Sequence, residues 1–203
     1  MPIHFTLVTG GARSGKSQFA VELAKSLGER IVYLATCQPA DREMRRRVLR
    51  HQQERSAHWR TIEHPPDLPK ALTGLRGDVS GVVIDCLTMY VAHLLMRGRS
   101  DASIEQAVET LCRTIARLSY PVIMVTNEVG SGVVPPNRLG RRFRDLAGLA
   151  NQTAARAADR VYVLTAGIPT LIKSALRTEP RALSLKAGGS SKLRKNPWVT
   201  RDR

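Results

Sequence analysis

The chain has 203 residues, 42% hydrophobic and 24% charged, with a formal net charge of +15. That length and balance describe one globular domain with a core of its own and exclude a disordered chain. No run approaches about 18 consecutive apolar residues, so no membrane span is expected, and the positive excess points to anionic partners, either nucleic acid or phosphate-rich small molecules.

Met1-Pro2-Ile3-His4 lacks a charged n-region and leads directly into a β-prone run, Phe5-Thr6-Leu7-Val8-Thr9, so no signal peptide is expected. Next comes Gly10-Gly11-Ala12-Arg13-Ser14-Gly15-Lys16-Ser17, which satisfies G-x-x-x-x-G-K-[ST]. A helix is predicted over 18–27, with Phe19, Leu23 and Leu27 at helical spacing and a stop at Gly28. Strand, glycine loop and helix wrap backbone N–H groups around phosphates at a helix N-terminus. Gly10 and Gly15 allow the tight turn, Lys16 neutralises the β- and γ-phosphates, and the Ser17 hydroxyl ligates Mg²⁺. The motif predicts binding of a nucleoside triphosphate.

Ile31-Val32-Tyr33-Leu34-Ala35 reads as a buried strand that ends in Thr36-Cys37-Gln38-Pro39. A helix is predicted over 41–55, with Met44, Val48 and His51 on one face and most of its arginines off that face. His51 thus either packs against its neighbours or faces a cleft. Residues 42–60 hold seven arginines against Glu43 and Glu54. Few aromatics accompany this charge, so a base-stacking platform is not indicated, and polyphosphate substrates account for the basic helix.

A short extended piece, Ala57-His58-Trp59-Arg60-Thr61-Ile62-Glu63, precedes a weak helix from Pro65-Pro66 to about Leu75. Gly81-Val82-Val83-Ile84-Asp85 is an apolar strand ending in an acid, the Walker B position of a P-loop protein, where a carboxylate holds Mg²⁺. Helices are predicted over 87–96, 102–118 and 137–158, and strands over 121–126 and 160–165. The loop Asn127-Glu128-Val129-Gly130-Ser131-Gly132 leaves the carboxyl end of a strand, where open α/β sheets place their ligands. Ala166-Gly167-Ile168-Pro169 turns the chain into Thr170-Leu171-Ile172-Lys173, a candidate terminal hairpin.

Alternating strands and helices predict an α/β fold with a mostly parallel sheet covered on both faces. Residues 1–173 form the domain. Residues 174–203, with eight Lys/Arg against Glu179 and Asp202 and a Gly188-Gly189-Ser190-Ser191 stretch, read as a poorly ordered basic tail. The cysteines Cys37, Cys86 and Cys112 are odd in number and lack metal-ligand spacing, which suggests reduced thiols in a cytoplasmic protein.

Seven segments stand in one order: the P-loop, the 57–63 piece, Asp85-Cys86-Leu87-Thr88, Thr126-Asn127-Glu128-Val129-Gly130, Asn137-Arg138-Leu139, Phe143-Arg144-Asp145-Leu146-Ala147-Gly148 and Asn151-Gln152. Over about residues 3–173 the chain closely resembles the bifunctional adenosylcobinamide kinase / adenosylcobinamide-phosphate guanylyltransferase family of cobalamin biosynthesis. The resemblance implies a three-layer, RecA-like P-loop fold and two reactions. ATP or GTP phosphorylates the aminopropanol hydroxyl of adenosylcobinamide. GMP from GTP then passes through a guanylyl-histidine to that phosphate, giving adenosylcobinamide-GDP and pyrophosphate. The family's histidine matches His51; His58 and His64, in the flanking extended segment, are less favoured. The resemblance also gives nucleotide contacts to Gly10, Gly11, Ala12, Arg13, Ser14, Gly15, Lys16 and Ser17, to Ala35, Thr36 and Cys37, to Gln52, Gln53, Glu54 and Arg55, and to Asp85. Glu63 would hold the guanine or ribose, or else is a solvated strand-end acid. A homo-oligomer, a trimer with a shared site, is implied, with Mg²⁺ and no nucleic-acid partner. Two alternatives stand beside this reading: a kinase without guanylyl transfer, and a P-loop ATPase acting on nucleic acid.

Overall fold

Four runs, Phe5–Gly10, Ile31–Ala35, Gly81–Asp85 and Val122–Val125, are apolar almost throughout and buried almost throughout. Strands buried on both sides belong to a parallel sheet with helices on each face. The structure, a computed structural model that describes residues 3–38, 42, 46 and 58–174, contains that sheet. Its strands are β1 (Phe5–Gly10), β2 (Ile31–Ala35), β3 (Arg60–Glu63), β4 (Gly81–Asp85), β5 (Val122–Val125), β6 (Arg160–Thr165) and β7 (Ile168–Ser174). They lie in the order β3-β2-β4-β5-β1-β6-β7, all neighbours parallel except β6 and β7.

The described helices are α1 (Lys16–Lys25), α2 (Leu68–Thr73), α3 (Leu87–Met96), α4 (Asp101–Ile115) and α5 (Arg138–Ala157). The connection from β1 through α1 to β2 crosses the sheet in one direction. Those from β3 to β4, β4 to β5 and β5 to β6 cross in the other. Right-handed crossovers therefore place α1 on one face and the other four on the opposite face. The two cores agree. Ala20, Val21 and Ala24 of α1 pack with Val8, Tyr33 and Ile123, whereas Leu72, Leu94, Ile104 and Leu146 pack with Leu7, Leu34 and Met124. This is the three-layer P-loop arrangement expected, with β5 lying between the P-loop strand and the strand that ends in Asp85.

The sequence reading places most elements within a few residues, and the departures have physical causes. Helix α1 starts at Lys16, two residues early, and its buried face is Lys16, Ala20, Val21 and Ala24 rather than the Phe19, Leu23 and Leu27 stripe. Small residues let the helix approach the sheet, and the bulky ones pack at the sides, Phe19 edge-on to Tyr162 at 5.1 Å. Helix α2 begins after Pro65-Pro66, at Leu68, because Asp67 caps it: its carboxylate accepts from Lys70 N at 2.9 Å. The predicted turn over 166–169 is only two residues long. Ala166 (φ 52°) and Gly167 (φ 84°) both adopt the left-handed conformation of a tight hairpin turn, so Ile168 and Pro169 already belong to β7. Proline is tolerated there because β7 is an edge strand. The hairpin itself is as expected, and Ser174, placed at the head of the tail, is its last residue. Lys173 Nζ donates to Ala155 O at 2.9 Å and Arg156 O at 2.8 Å, tying β7 to the carbonyl end of α5. The helix expected over 41–55 lies outside the described residues except for Arg42 and Arg46, which are helical and exposed.

Candidate active site

Of the five described helices, three begin with a side-chain cap, Asp67 for α2, Ser100 for α4 and Asn137 for α5, and α3 begins without one. Helix α1 has none. It starts at Gly15 (φ 89°), which leaves its first N–H groups facing the P-loop without a side-chain acceptor. A helix terminus of this kind is suited to phosphate.

The loop before it is tightly constrained. A Cβ on Gly10 (φ 152°) would stand 2.4 Å from Leu164 O and 2.7 Å from Ser14 Oγ, and one on Gly15 would stand 3.4 Å from Gly167 Cα. Gly167 N donates to Ser14 O at 3.1 Å, so the β6–β7 turn closes over the P-loop. Gly10→Ala is therefore expected to destabilise the fold by about 2–3 kcal/mol, as overpacking against backbone that cannot yield. Urea unfolding should show a lowered midpoint at unchanged slope, and an unchanged midpoint would contradict the packing described. Gly11, Ala12 and Arg13 are exposed at the crest of the loop, with Arg13 in the left-handed region (φ 56°). Lys16 is only 6% exposed; its Nζ donates to Gly11 O at 2.5 Å and lies 3.4 Å from Ser14 Oγ. A buried ammonium needs such acceptors, and the loop supplies them. The Ser17 hydroxyl, one residue on, makes no hydrogen bond to the described protein.

Asp85 ends β4 on the same sheet edge. Tyr33, 1% exposed at the centre of β2, donates its hydroxyl to Asp85 Oδ2 at 2.6 Å. Ala35 is level with Asp85 in register. Thr36 and Cys37 follow it, but the Thr36 side chain is committed to the fold: its hydroxyl donates to Cys86 O and accepts from Cys86 N, both at 2.7 Å. No disulfide joins Cys37, Cys86 and Cys112, as expected. Burial, with Asp85 adding to it, pushes the Cys86 thiol up to about 12, and burial pushes Cys112 up to about 11. Both remain protonated and poorly nucleophilic near neutral pH.

Between these two groups, just beyond the end of β5, stands the loop that the sequence reading marked at the carboxyl end of a strand, held by a network that the reading did not foresee. Thr126 N donates to Val8 O and Glu128 N donates to Gly10 O, both at 2.9 Å, so Asn127 lies at the mouth of the P-loop. Thr126 Oγ1 donates to Asn151 Oδ1 at 2.6 Å and meets Thr88 Oγ1 at 3.0 Å. Thr88 Oγ1 accepts from Asn127 N at 2.7 Å, and Asn151 Nδ2 donates to Asn127 O at 3.0 Å. The quoted segments carrying Thr88, Asn127 and Asn151 were visible in the sequence; that they meet in space was not.

Glu63 is exposed at the end of β3, level with Ala35. Four strand spacings separate β3 from β1, roughly 19 Å at the usual interval. The structure thus brings together Gly10 to Ser17, Asp85 and Asn127, and sets Glu63 at the far end of the same edge. His58 is exposed in a turn, and His64 (φ 51°) donates its backbone N–H to Ala35 O at 2.8 Å while its Nδ1 is buried with no hydrogen-bond partner among the described residues. His51, Gln52, Gln53, Glu54 and Arg55 lie outside the described residues. Among the described residues, no helix is long and apolar enough to cross a membrane.

Comparison with known proteins matches residues 6–172 to the model of the cobinamide kinase / cobinamide phosphate guanyltransferase family, CobU. The chain is 41% identical over 179 residues to the bifunctional adenosylcobalamin biosynthesis protein CobU of Salmonella typhimurium, covering 82% of this chain and 98% of that protein. It is 39% identical over 167 residues to the bifunctional adenosylcobalamin biosynthesis protein CobP of Pseudomonas aeruginosa, covering 82% and 96%. Against CobU of Escherichia coli the identity is 39% over 179 residues, with coverage of 82% and 98%. A match of this extent settles the family: the chain is a member of the cobinamide kinase / cobinamide phosphate guanyltransferase family.

Proposed function

We propose that this protein phosphorylates the aminopropanol hydroxyl of adenosylcobinamide with ATP or GTP. It then transfers GMP from GTP, through a guanylyl group on His51, to the phosphate it has made. The observation that carries the kinase half is the wrapping of the P-loop around Lys16, on the same sheet edge as Asp85, in a chain of this family. The transferase half rests on the family and on the relatives, named as bifunctional adenosylcobalamin biosynthesis proteins. Action on nucleic acid is not favoured by either.

In this reading Gly10 to Ser17 hold the triphosphate, and Lys16 meets the charge that develops on the transferred phosphoryl group. The donor set suits Mg²⁺. Ser17 and Asp85 offer hard oxygens, and no group of three or more His, Cys, Asp or Glu gathers among the described residues. A metal here would take its remaining ligands from phosphate and water, as Mg²⁺ does. When bound, it would neutralise the β- and γ-phosphate oxygens. Tyr33 holds Asp85 Oδ2 and so fixes which carboxylate oxygen faces outward. Tyr33→Phe is expected to raise the Mg²⁺ concentration for half-maximal turnover by about tenfold. A metal titration of the kinase step measures this, and an unchanged dependence would show that the Tyr33 bond does not position a metal ligand.

Glu63 holds guanine or ribose at the far end of the edge, and Ala35, Thr36 and Cys37 line the stretch between through their backbone. Residues 1–173 carry both activities, in a cytoplasmic homo-oligomer, a trimer. Purified protein incubated with Mg²⁺ and α-labelled GTP should acquire an acid-labile label. With γ-labelled ATP and adenosylcobinamide it should pass the label to the corrinoid. A corrinoid that stays unlabelled would overturn the kinase half, and an unlabelled protein the transferase half.

A further inference from the structure

The geometry points to Asn127 as the residue that receives and orients the attacking hydroxyl in the phosphoryl-transfer step. The inference rests on the kinase reading given above. Its first support is position. Asp85 is level with Val125 in register, and Val125 is level with Val8 on its other side. Two residues beyond Val125, Asn127 stands between the end of β4 and the P-loop, beside Gly10. A γ-phosphate held by Lys16 and a metal held by Asp85 would meet in front of it.

The second support is the completeness of the clamp. Thr126 has one hydroxyl proton, which goes to Asn151 Oδ1. Thr88 must then donate to Thr126 Oγ1, which leaves its lone pair for Asn127 N–H. Asn151 Nδ2 takes the Asn127 carbonyl. Thr88 and Thr126 are 4% and 0% exposed, so the bond between their hydroxyls is shielded from water. Two side-chain hydrogen bonds thus hold the Asn127 backbone, one on each side, and two more brace the side chains that make them. A loop residue held this firmly is suited to presenting its side chain at one place.

The third support is the side chain itself. Asn127 Nδ2 lies 4.0 Å from Cys86 Sγ, a weak contact, and among the described residues Oδ1 has no hydrogen-bond partner and is not buried. Oδ1 is an acceptor, which matches an alcohol O–H and not a phosphate oxygen. In the step, the alcohol oxygen bonds to the γ-phosphorus as the bond from that phosphorus to the β–γ bridging oxygen breaks, and the nucleoside diphosphate leaves. The hydroxyl proton, hydrogen-bonded to Oδ1 during approach, passes to a phosphoryl oxygen and then to water, because an amide cannot keep it. Asn127 therefore aims the oxygen lone pair at phosphorus without acting as a base.

Asn127→Ala, in the full-length enzyme, is expected to lower kcat for cobinamide phosphorylation at least about tenfold, with the Kd of Mg·ATP unchanged within about twofold. Thr88→Val, which frees the Asn127 backbone, should lower kcat in the same sense, and Thr88→Ser should restore it. Thermal unfolding checks that each variant is folded. Unchanged kcat in Asn127→Ala overturns the inference. So does a loss that appears only as weaker nucleotide binding, because Asn127 would then contact phosphate. If the wild-type enzyme binds Mg·ATP but does not phosphorylate cobinamide, the functional reading falls instead.

Discussion

Lys16→Ala should lower cobinamide phosphorylation by more than about 10²-fold, in line with the loss of a single preorganised charge at a transfer site. Lys16 is buried inside the loop it serves, bonded to Gly11 O and near Ser14 Oγ. Incoming phosphate oxygens exchange those two neutral acceptors for charged ones at little cost in reorganisation. Arg13 cannot substitute, since it sits exposed on the crest. Lys16→Arg should also fail by more than about tenfold, because a planar guanidinium does not fit where a compact ammonium is enclosed. Removing a buried charge need not weaken the fold, so thermal unfolding of the nucleotide-free variant should be no lower than wild type. Turnover near normal in Lys16→Ala would refute the P-loop assignment.

His51→Ala should abolish the covalent guanylyl adduct and the formation of adenosylcobinamide-GDP, while phosphorylation largely persists. A neutral imidazole attacks the α-phosphorus, forms a P–N bond and releases pyrophosphate; the new phosphate on the corrinoid then takes the GMP and frees the ring. The kinase step has no protein nucleophile, so the two activities separate. The wild-type adduct should survive base and fall in acid, as a phosphoramidate does. A peptide map locates it. Label on His58 or His64 with His51 unmodified would overturn the assignment; the protonated thiols of Cys86 and Cys112 make those groups poor competitors.

What could be read from the sequence follows from which interactions are local. The parallel strands announced themselves because a strand covered on both faces is an unbroken apolar run, as in Ile31–Ala35 and Gly81–Asp85. The P-loop was legible because all its parts lie within eight consecutive residues. Helix α1 was readable as a helix, yet its buried face was misassigned, since bulky side chains dominate a spacing argument and Ala20 and Ala24 do the close packing. The turn was overestimated because Pro169 signals a loop unless the strand is known to be an edge. Strand order leaves no trace in a single chain, so neither the distance of Glu63 from the P-loop nor the Tyr33–Asp85 bond was accessible. The clamp on Asn127 joins residues 88, 126, 127 and 151, and each alone is an ordinary polar residue.

Strand β1 is zipped to β5 on one side and β6 on the other, and the loop after it is closed by the β6–β7 turn. All three partners lie far downstream of β1 in the sequence. On the ribosome, where the N-terminus emerges first, β2, β3 and β4 can pair among themselves once Asp85 has appeared. The first strand must wait for Val122, and then for Leu164 and Gly167, before its loop is shaped. Such distant pairings form late. The P-loop thus takes its closed shape only after Gly167 has been made, and a nascent chain that stops short of it lacks that closure.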